Sequence, residues 1–354
     1  MTPGVLPVKT ASAVVPLANP AFVLDTLCTH MASHELAVEF DGRVASTRLP
    51  VGRATMRLEP ASLALEVEAE TESGMEGIIG FLASHVLEFA HPERPAIRWS
   101  GFEPSRALAD FREMKVVAVA DITPHMRRIT LTGSDLGRFA TEDNLHVRLF
   151  FPPRGRPPVW PTRGADGVIE PVEPALRPAV RKYTIRRIDA AKGLVDIDFL
   201  LHEDAGPGSD WARGAGEGDL LGMAGPGGRG AKPADWLLLA GDETALPAIA
   251  RILEGLPPRA EGIALIEVEG EADELALSRP AGFELHWLHR AAGTGLAAAV
   301  ARVAVPKDRT HFCWAGAEFA EIQAIRRHWV EECGVARPDQ LAVSYWRKGE
   351  PEAS

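Results

Sequence analysis

Apolar positions along the chain follow three successive regimes. In the first, Leu24, Leu27, Cys28 and Met31 recur at helical spacing, and the strand-like runs Leu36–Phe40, Arg53–Leu58 and Leu63–Ala69 follow, joined by turn residues such as Asp41-Gly42 and Glu59-Pro60. A second helical run, Gly77–Phe89, puts Ile78, Phe81, Leu82 and His85 on one face, and Ile97–Phe102 reads as a last strand. The order α-β-β-β-α-β predicts a small α+β domain over residues 21–105, behind a flexible leader over 1–20. In the second regime, short strands Phe111–Ala120, Arg128–Leu131, His146–Phe151, Arg181–Ile188 and Val195–Leu201 predict an antiparallel β-barrel over 111–232. Its Pro- and Arg-rich stretch Pro152–Pro178 lacks periodicity and reads as a lid or a disordered insert. In the third, Trp236–Ala240 is an unbroken apolar strand and Ile263–Val268 another buried strand, with Glu284–Leu288, Thr310–Ala315 and Leu341–Trp346 further on. Helical runs at Ala245–Leu256, Leu296–Val303 and Glu318–Cys333 alternate with them, which predicts a parallel-sheet α/β domain of nucleotide-binding type over 233–350.

Composition narrows the function. The 354 residues are 46% hydrophobic and 25% charged, enough for buried cores. A net charge of −11 excludes bulk attraction to nucleic acid or an anionic membrane, so an anionic ligand needs a local basic pocket. The three cysteines, Cys28, Cys313 and Cys333, form no CxxC, which argues against a zinc ribbon, an iron–sulfur cluster or a disulfide framework. No secretory signal and no membrane-spanning apolar run is visible, so a cytoplasmic protein is expected. Cys28, His30 and His34 are residue types that can ligate a metal, but Cys28 and His30 do not share a helix face, and no metal site is assigned.

A barrel followed by a half-Rossmann domain suits two cofactors, a flavin on the barrel and a nicotinamide on the second domain, although fold alone proves no function. Four stretches carry candidate chemistry. In Arg181-Lys182-Tyr183-Thr184-Ile185-Arg186, a Tyr can stack on a flavin ring, a Thr hydroxyl can bond its edge near N5, and an Arg can grip a diphosphate. The plain alternative is an amphipathic strand with a solvated basic face, and strict alternation puts Tyr183 opposite Thr184 and Arg186 unless a twist or bulge intervenes. Gly206-Pro207-Gly208-Ser209-Asp210-Trp211 opens a short helix whose N–H groups can hold a diphosphate, although Ser209 alone would also serve as an ordinary N-cap. Gly225–Gly230 lacks the GxGxxG fingerprint and reads equally well as an interdomain turn. Gly241-Asp242-Glu243-Thr244 lies where the first parallel strand turns into a helix, the position for a nicotinamide diphosphate, provided that Asp242 and Glu243 point away.

Together Arg181–Arg186, His202–Ala212, Gly222–Gly228, Leu238–Pro247 and Tyr345–Lys348 resemble the siderophore-interacting protein family, FAD-dependent ferric-siderophore reductases of the ferredoxin-reductase superfamily, over roughly 111–349. The resemblance implies FAD on the barrel and NADH or NADPH as donor. It maps the cofactor motif onto Arg181, Tyr183, Thr184 and Arg186, and the flavin-diphosphate turn onto Gly206, Gly208, Ser209 and Trp211, with His202 near the adenine. It maps the nicotinamide side onto Gly241, Asp242, Glu243, Thr244 and Glu318, and puts the aromatic of Tyr345-Trp346-Arg347 beside the flavin. Tyr183, Thr184 and Trp346 are then the groups closest to electron transfer. Two departures are mild: Ala317-Glu318 stands where Gly-Glu is usual, and Ser344 where Gly often precedes Tyr-Trp. Residues 21–102 resemble a small domain of unknown function found alone or fused to such reductases, on Leu27–His30, Val38–Phe40 and His85–Phe89.

The implied reaction carries electrons from NAD(P)H through FAD to Fe(III) in a siderophore, releasing Fe(II). Arg148, Arg229, Arg347 and Lys348 are candidates for a basic rim that receives the anionic chelate. Two other functions fit the same residues: a flavin oxidoreductase with a quinone or nitro acceptor, and a siderophore-binding sensor without turnover. NADH against NADPH, the siderophore, the oligomeric state and the task of the N-terminal domain stay open.

Overall fold

The computed structural model describes residues 8–34, 36–202 and 206–349, which form two compact units. One holds the start of the chain to Phe111 together with Val159–Pro174; the other holds Arg112–Pro158 and the chain from Ala175 onward.

The first unit is a sheet under two helices. Its elements are β1 (Lys9–Pro16), α1 (Pro20–Ser33), β2 (Val38–Phe40), β3 (Val44–Leu49), β4 (Gly52–Glu59), β5 (Ser62–Ala69) and α2 (Glu72–Phe89). The strands run in the order β1-β5-β4-β3-β2. Lys9–Pro16 is therefore a paired strand, not the flexible leader expected; residues 1–7 of that expectation lie outside the described residues. Ala11, Ala13 and Val15 alternate inward, a signal muted by two alanines. β3 was also unexpected, and Ile97–Phe102 supplies a single bridge, Ser12 to Ser100, in place of a strand.

The stretch expected as a lid or disordered insert is neither at 159–174, where it completes the first unit. Arg163 and Ile169 bridge, Val168 packs on the core, and the Asp166 carbonyl accepts the Trp99 indole N–H at 2.8 Å. Gly167 (φ +91°) fits because a Cβ there would lie 2.3 Å from Ile79 Cγ2. The buried Arg163 guanidinium stands 2.8 Å from the buried Glu76 carboxylate, a charge contact without hydrogen-bond alignment, and Glu76 also accepts the Ser105 N–H at 3.1 Å.

In the second unit, β6 (Phe111–Asp121), β7 (Met126–Thr132), β8 (His146–Phe151), β9 (Ala179–Asp189), β10 (Leu194–Leu200) and β11 (Leu220–Gly227) close an antiparallel barrel, with α3 (Pro207–Gly214) between β10 and β11. Phe139, Leu149, Ile197, Phe199 and Trp211 help fill it. The chain continues through β12 (Trp236–Gly241), α4 (Leu246–Gly255), β13 (Glu261–Val268), β14 (Gly282–His289), α5 (Leu296–Val300), β15 (His311–Glu318), α6 (Phe319–Arg327) and β16 (Gln340–Trp346). These strands form a parallel sheet in the order β14-β13-β12-β15-β16, so the winding reverses between β12 and β15. Ligands of such sheets bind at that reversal, outside the carboxyl ends. No helix among the described residues is long and apolar enough to cross a membrane.

Replacing Arg163 with Ala leaves Glu76 buried opposite no cation, a loss typically of about 3–5 kcal/mol. The expected result is a lower denaturant midpoint and new proteolytic cleavage between residues 159 and 174. The double replacement Glu76→Leu with Arg163→Met should recover most of the loss, and an unchanged melt of Arg163→Ala would show that the strap does not need the pair.

Candidate functional site

On the barrel, β9 and α3 meet. The Tyr183 ring is half-buried, 4.5 Å from Phe199 and 6.0 Å from Phe151 between ring centres. Its hydroxyl lies over Gly208, where a Cβ would stand 2.2 Å away, so only glycine admits this contact. Thr184 is buried although it is adjacent to Tyr183 in sequence; both pair in regular register with β8, and the β9–β10 register shifts only beyond them, opposite Ile185–Arg187.

Gly206 caps α3 from extended backbone, with open space where a side chain would stand. Pro207 at the first helical position has no N–H, and no side chain among the described residues caps the Gly208 and Ser209 amides. Ser209 is no N-cap: its Oγ accepts the His202 N–H at 3.4 Å. An open helix start with two glycines, beside a half-exposed aromatic, fits a flavin diphosphate and ring.

Other expected cofactor contacts have partners within the protein or face solvent. Trp211 is buried in the barrel core against Phe151 at 5.4 Å. Arg186 makes a two-point ion pair with Glu254 of α4, at 2.8 and 2.5 Å. Arg181 donates to the Val180 carbonyl at 2.7 Å, and His202 is exposed. Gly228 (φ +73°) packs under the His146 ring, so Gly225–Gly230 serves the junction behind β8.

That junction was not legible from motifs. Buried Arg251 of α4 donates to the carbonyls of Ile185 and Thr141 at 3.1 and 2.5 Å. From β16, the Tyr345 hydroxyl meets His146 Nε2 at 2.8 Å, and His146 pairs with Thr184 across β8 and β9. Burial, with Lys182 and Arg251 nearby, lowers the His146 pKa to about 4, so the ring is neutral and takes the Tyr345 proton donor at Nε2.

The second place is a cavity of about 300 Å³ at the carboxyl ends of β12, β13 and β15, lined by Asp242, Glu267, Arg290, Glu318, Trp346 and Lys348 among others. Asp242 does point away from solvent. Its carboxylate accepts the Thr244 N–H (2.9 Å) and hydroxyl (2.5 Å), the Trp346 indole N–H (2.8 Å) and the Glu318 N–H (3.2 Å). Burial pushes its pKa up, against those hydrogen bonds. Glu243 is neutralised by a two-point pair with Arg290, and Glu318 caps Ala320 while accepting the Lys348 N–H at 3.2 Å. Gly241 abuts the Gly316 carbonyl, where a Cβ would come within 2.8 Å. Of the expected rim, Arg347 stacks over Phe319 at 4.0 Å and Lys348 lines the cavity; Arg148 lies opposite Lys182 on the barrel, and Arg229 is exposed after β11. Among the described residues no cluster of three or more His, Cys, Asp or Glu is placed to hold a metal ion.

Residues 115–230 match the family described as siderophore-interacting FAD-binding domain, and 234–349 match siderophore-interacting protein. The chain is 35% identical over 253 residues to ferric vibriobactin reductase ViuB of Vibrio cholerae, covering 69% of this chain and 90% of that protein. This chain belongs to the siderophore-interacting protein family. The NADPH-dependent ferric-chelate reductase of Escherichia coli is 33% identical, over 69% of this chain and 96% of that one. The crystal structure of the siderophore-interacting protein SipS from Aeromonas hydrophila matches with a TM-score of 0.59 at 33% identity, covering 69% of this chain and 94% of that one. Residues 12–100 match an uncharacterized protein family conserved in bacteria, DUF2218.

Two outcomes test this geometry. Gly208→Ala should displace the Tyr183 ring and lower the FAD retained on purification, read from absorbance near 450 nm as an approximate flavin marker; full retention would remove Gly208 from the seat. His146, protonated in the unfolded chain below about pH 6.5 but not in the folded one, contributes stability that is complete above that pH and lost as pH falls toward 4, at most about 3 kcal/mol. Urea midpoints at pH 7 and pH 5 should therefore converge in His146→Gln relative to the parent chain.

Proposed function

We propose that this chain is an FAD-dependent reductase that takes electrons from NAD(P)H and delivers them to ferric iron in a siderophore, so that iron leaves as Fe(II). The observation that carries this reading is the seat made by Tyr183 and the start of α3, whose amides no side chain among the described residues caps, within the stretch that matches the FAD-binding domain. Bound FAD supplies the conversion between a two-electron donor and a one-electron acceptor.

The protein's part is position and charge. The Gly208 and Ser209 amides would hold the diphosphate, with the field of the helix start behind them. Tyr183 would cover the ring, and buried Thr184 would offer its hydroxyl to the ring edge. Arg186 belongs to the junction with α4, because its guanidinium is already matched by Glu254. Asp242 holds the Trp346 indole by its N–H, which fixes the aromatic at the cavity mouth. Neutral His146 keeps Tyr345 in place without adding a charge beside the seat. Arg347 and Lys348 are the cations next to that mouth and would draw an anionic chelate. Fe(II) is bound less tightly than Fe(III) by hard oxygen donors, so the product is released from the chelate.

The purified chain should be yellow, bleach with NADH or NADPH under argon, and recolour with a ferric siderophore while ferrozine traps Fe(II). Tyr183→Ala should lose most of its FAD. Bleaching without ferrozine colour would redirect the reading to another acceptor, and a colourless protein that binds ferric siderophore would leave only a sensor.

A further inference from the structure

The cavity at the sheet's carboxyl ends carries charge of an unexpected sign. Besides Arg290 and Lys348, its charged lining is Asp242, Glu267, Glu318 and Glu321. From the chain leaving β13, Glu269 also reaches Arg290, whereas Asp273 and Glu274 are engaged by His125 and His289. Of the helix starts at these strand ends, α6 and α5 are capped by carboxylates, Glu318 accepting the Ala320 N–H and Glu321 the Ala297 N–H at 2.6 Å, while α4 has no side-chain cap and its Leu246 N–H goes to the Asp242 backbone carbonyl at 3.1 Å. Arg290, the cation at the end of β14, is drawn to three carboxylates: a two-point pair with Glu243, and Glu267 and Glu269 each at 3.5 Å.

A dinucleotide seated on a parallel sheet places its adenine ribose near the end of the second strand, where a carboxylate accepts from a 2′-hydroxyl and a free guanidinium accepts a 2′-phosphate. Here that strand ends in a carboxylate, and the guanidinium within reach is already neutralised.

Resting on the proposed reading that this cavity takes a nicotinamide dinucleotide, we propose that the chain selects NADH over NADPH, with Glu267 as the deciding residue and Glu243 acting through Arg290. Glu267 accepts from the 2′-hydroxyl of NADH and repels a 2′-phosphate. Glu243 withholds the Arg290 guanidinium that would otherwise receive that phosphate. Glu243 is thus a positioning residue.

The test is calorimetric binding of NAD⁺ and NADP⁺ to the full FAD-loaded chain, alongside kcat/KM for NADH and NADPH. The expected result is a preference for the non-phosphorylated form of about tenfold or more, shrinking as salt rises. Glu267→Gln should narrow the ratio by strengthening NADP⁺. Glu243→Gln, which releases Arg290, should narrow it in the same direction while leaving the Glu267 carboxylate in place. Equal or reversed preference in the parent chain, or a ratio unmoved by both variants, overturns the selection and leaves the reductase reading standing. Failure of both dinucleotides to bind and of both reduced forms to bleach the flavin overturns the two together.

Discussion

A carboxylate taken out of water must collect donors or accept a proton, and Asp242 collects donors. They come from three places in the chain: its own turn through Thr244, the start of α6 through the Glu318 amide, and β16 through the Trp346 indole. The carboxylate stands at the end of the central strand of the parallel sheet, just past Gly241. One buried carboxyl group therefore ties together the edges of the cavity and holds the Trp346 indole there. Removing the carboxylate would strand several N–H groups at once, so its cost is structural before it is chemical.

The barrel and the parallel sheet are joined by a comparable economy of polar contacts. Arg251 and Glu254 lie on one helix, and each reaches β9, the strand that carries Tyr183 and Thr184. His146 and Tyr345 close the junction from the other strands. Because these bonds end on backbone carbonyls and on strand residues, they fix the position of β9 itself. The proposed flavin seat and the cavity are thus set by the same few side chains, and a neutral imidazole makes the join without a local charge.

Much of this was visible in the chain. Trp236–Ala240 is an unbroken apolar run and Ile263–Ile266 a second, broken only at Glu267, as strands covered on both faces require, and they announced the parallel sheet. The start of α3 was legible as a helix start from Gly206, Pro207 and Ser209. What escaped was non-local or weakly apolar. β1 hides behind Ala11 and Ala13, whose small side chains barely mark the alternation. The strap at 159–174 is polar and Pro-rich, and its order depends on Trp99, Ile79 and Glu76, which lie far away in sequence. Arg186 matched a phosphate-binding motif by type, but its partner Glu254 is fixed only once α4 packs on β9. His146 and Tyr345 are distant in sequence, and no spacing rule joins them.

The two halves of the second unit treat anions in opposite ways. On the barrel, the start of α3 leaves its amides without a side-chain cap among the described residues; on the sheet, carboxylates cap α5 and α6 internally. An uncapped helix start stays under-satisfied until an anion arrives, so it rewards a ligand that remains bound. A self-capped start is already satisfied when the cavity is empty, and an incoming phosphate must compete with side chains held by the same amides. On the proposed reading this divides the labour between a group that stays and a donor that must leave after each turnover. Binding energy withheld from the departing partner keeps its release from limiting the rate.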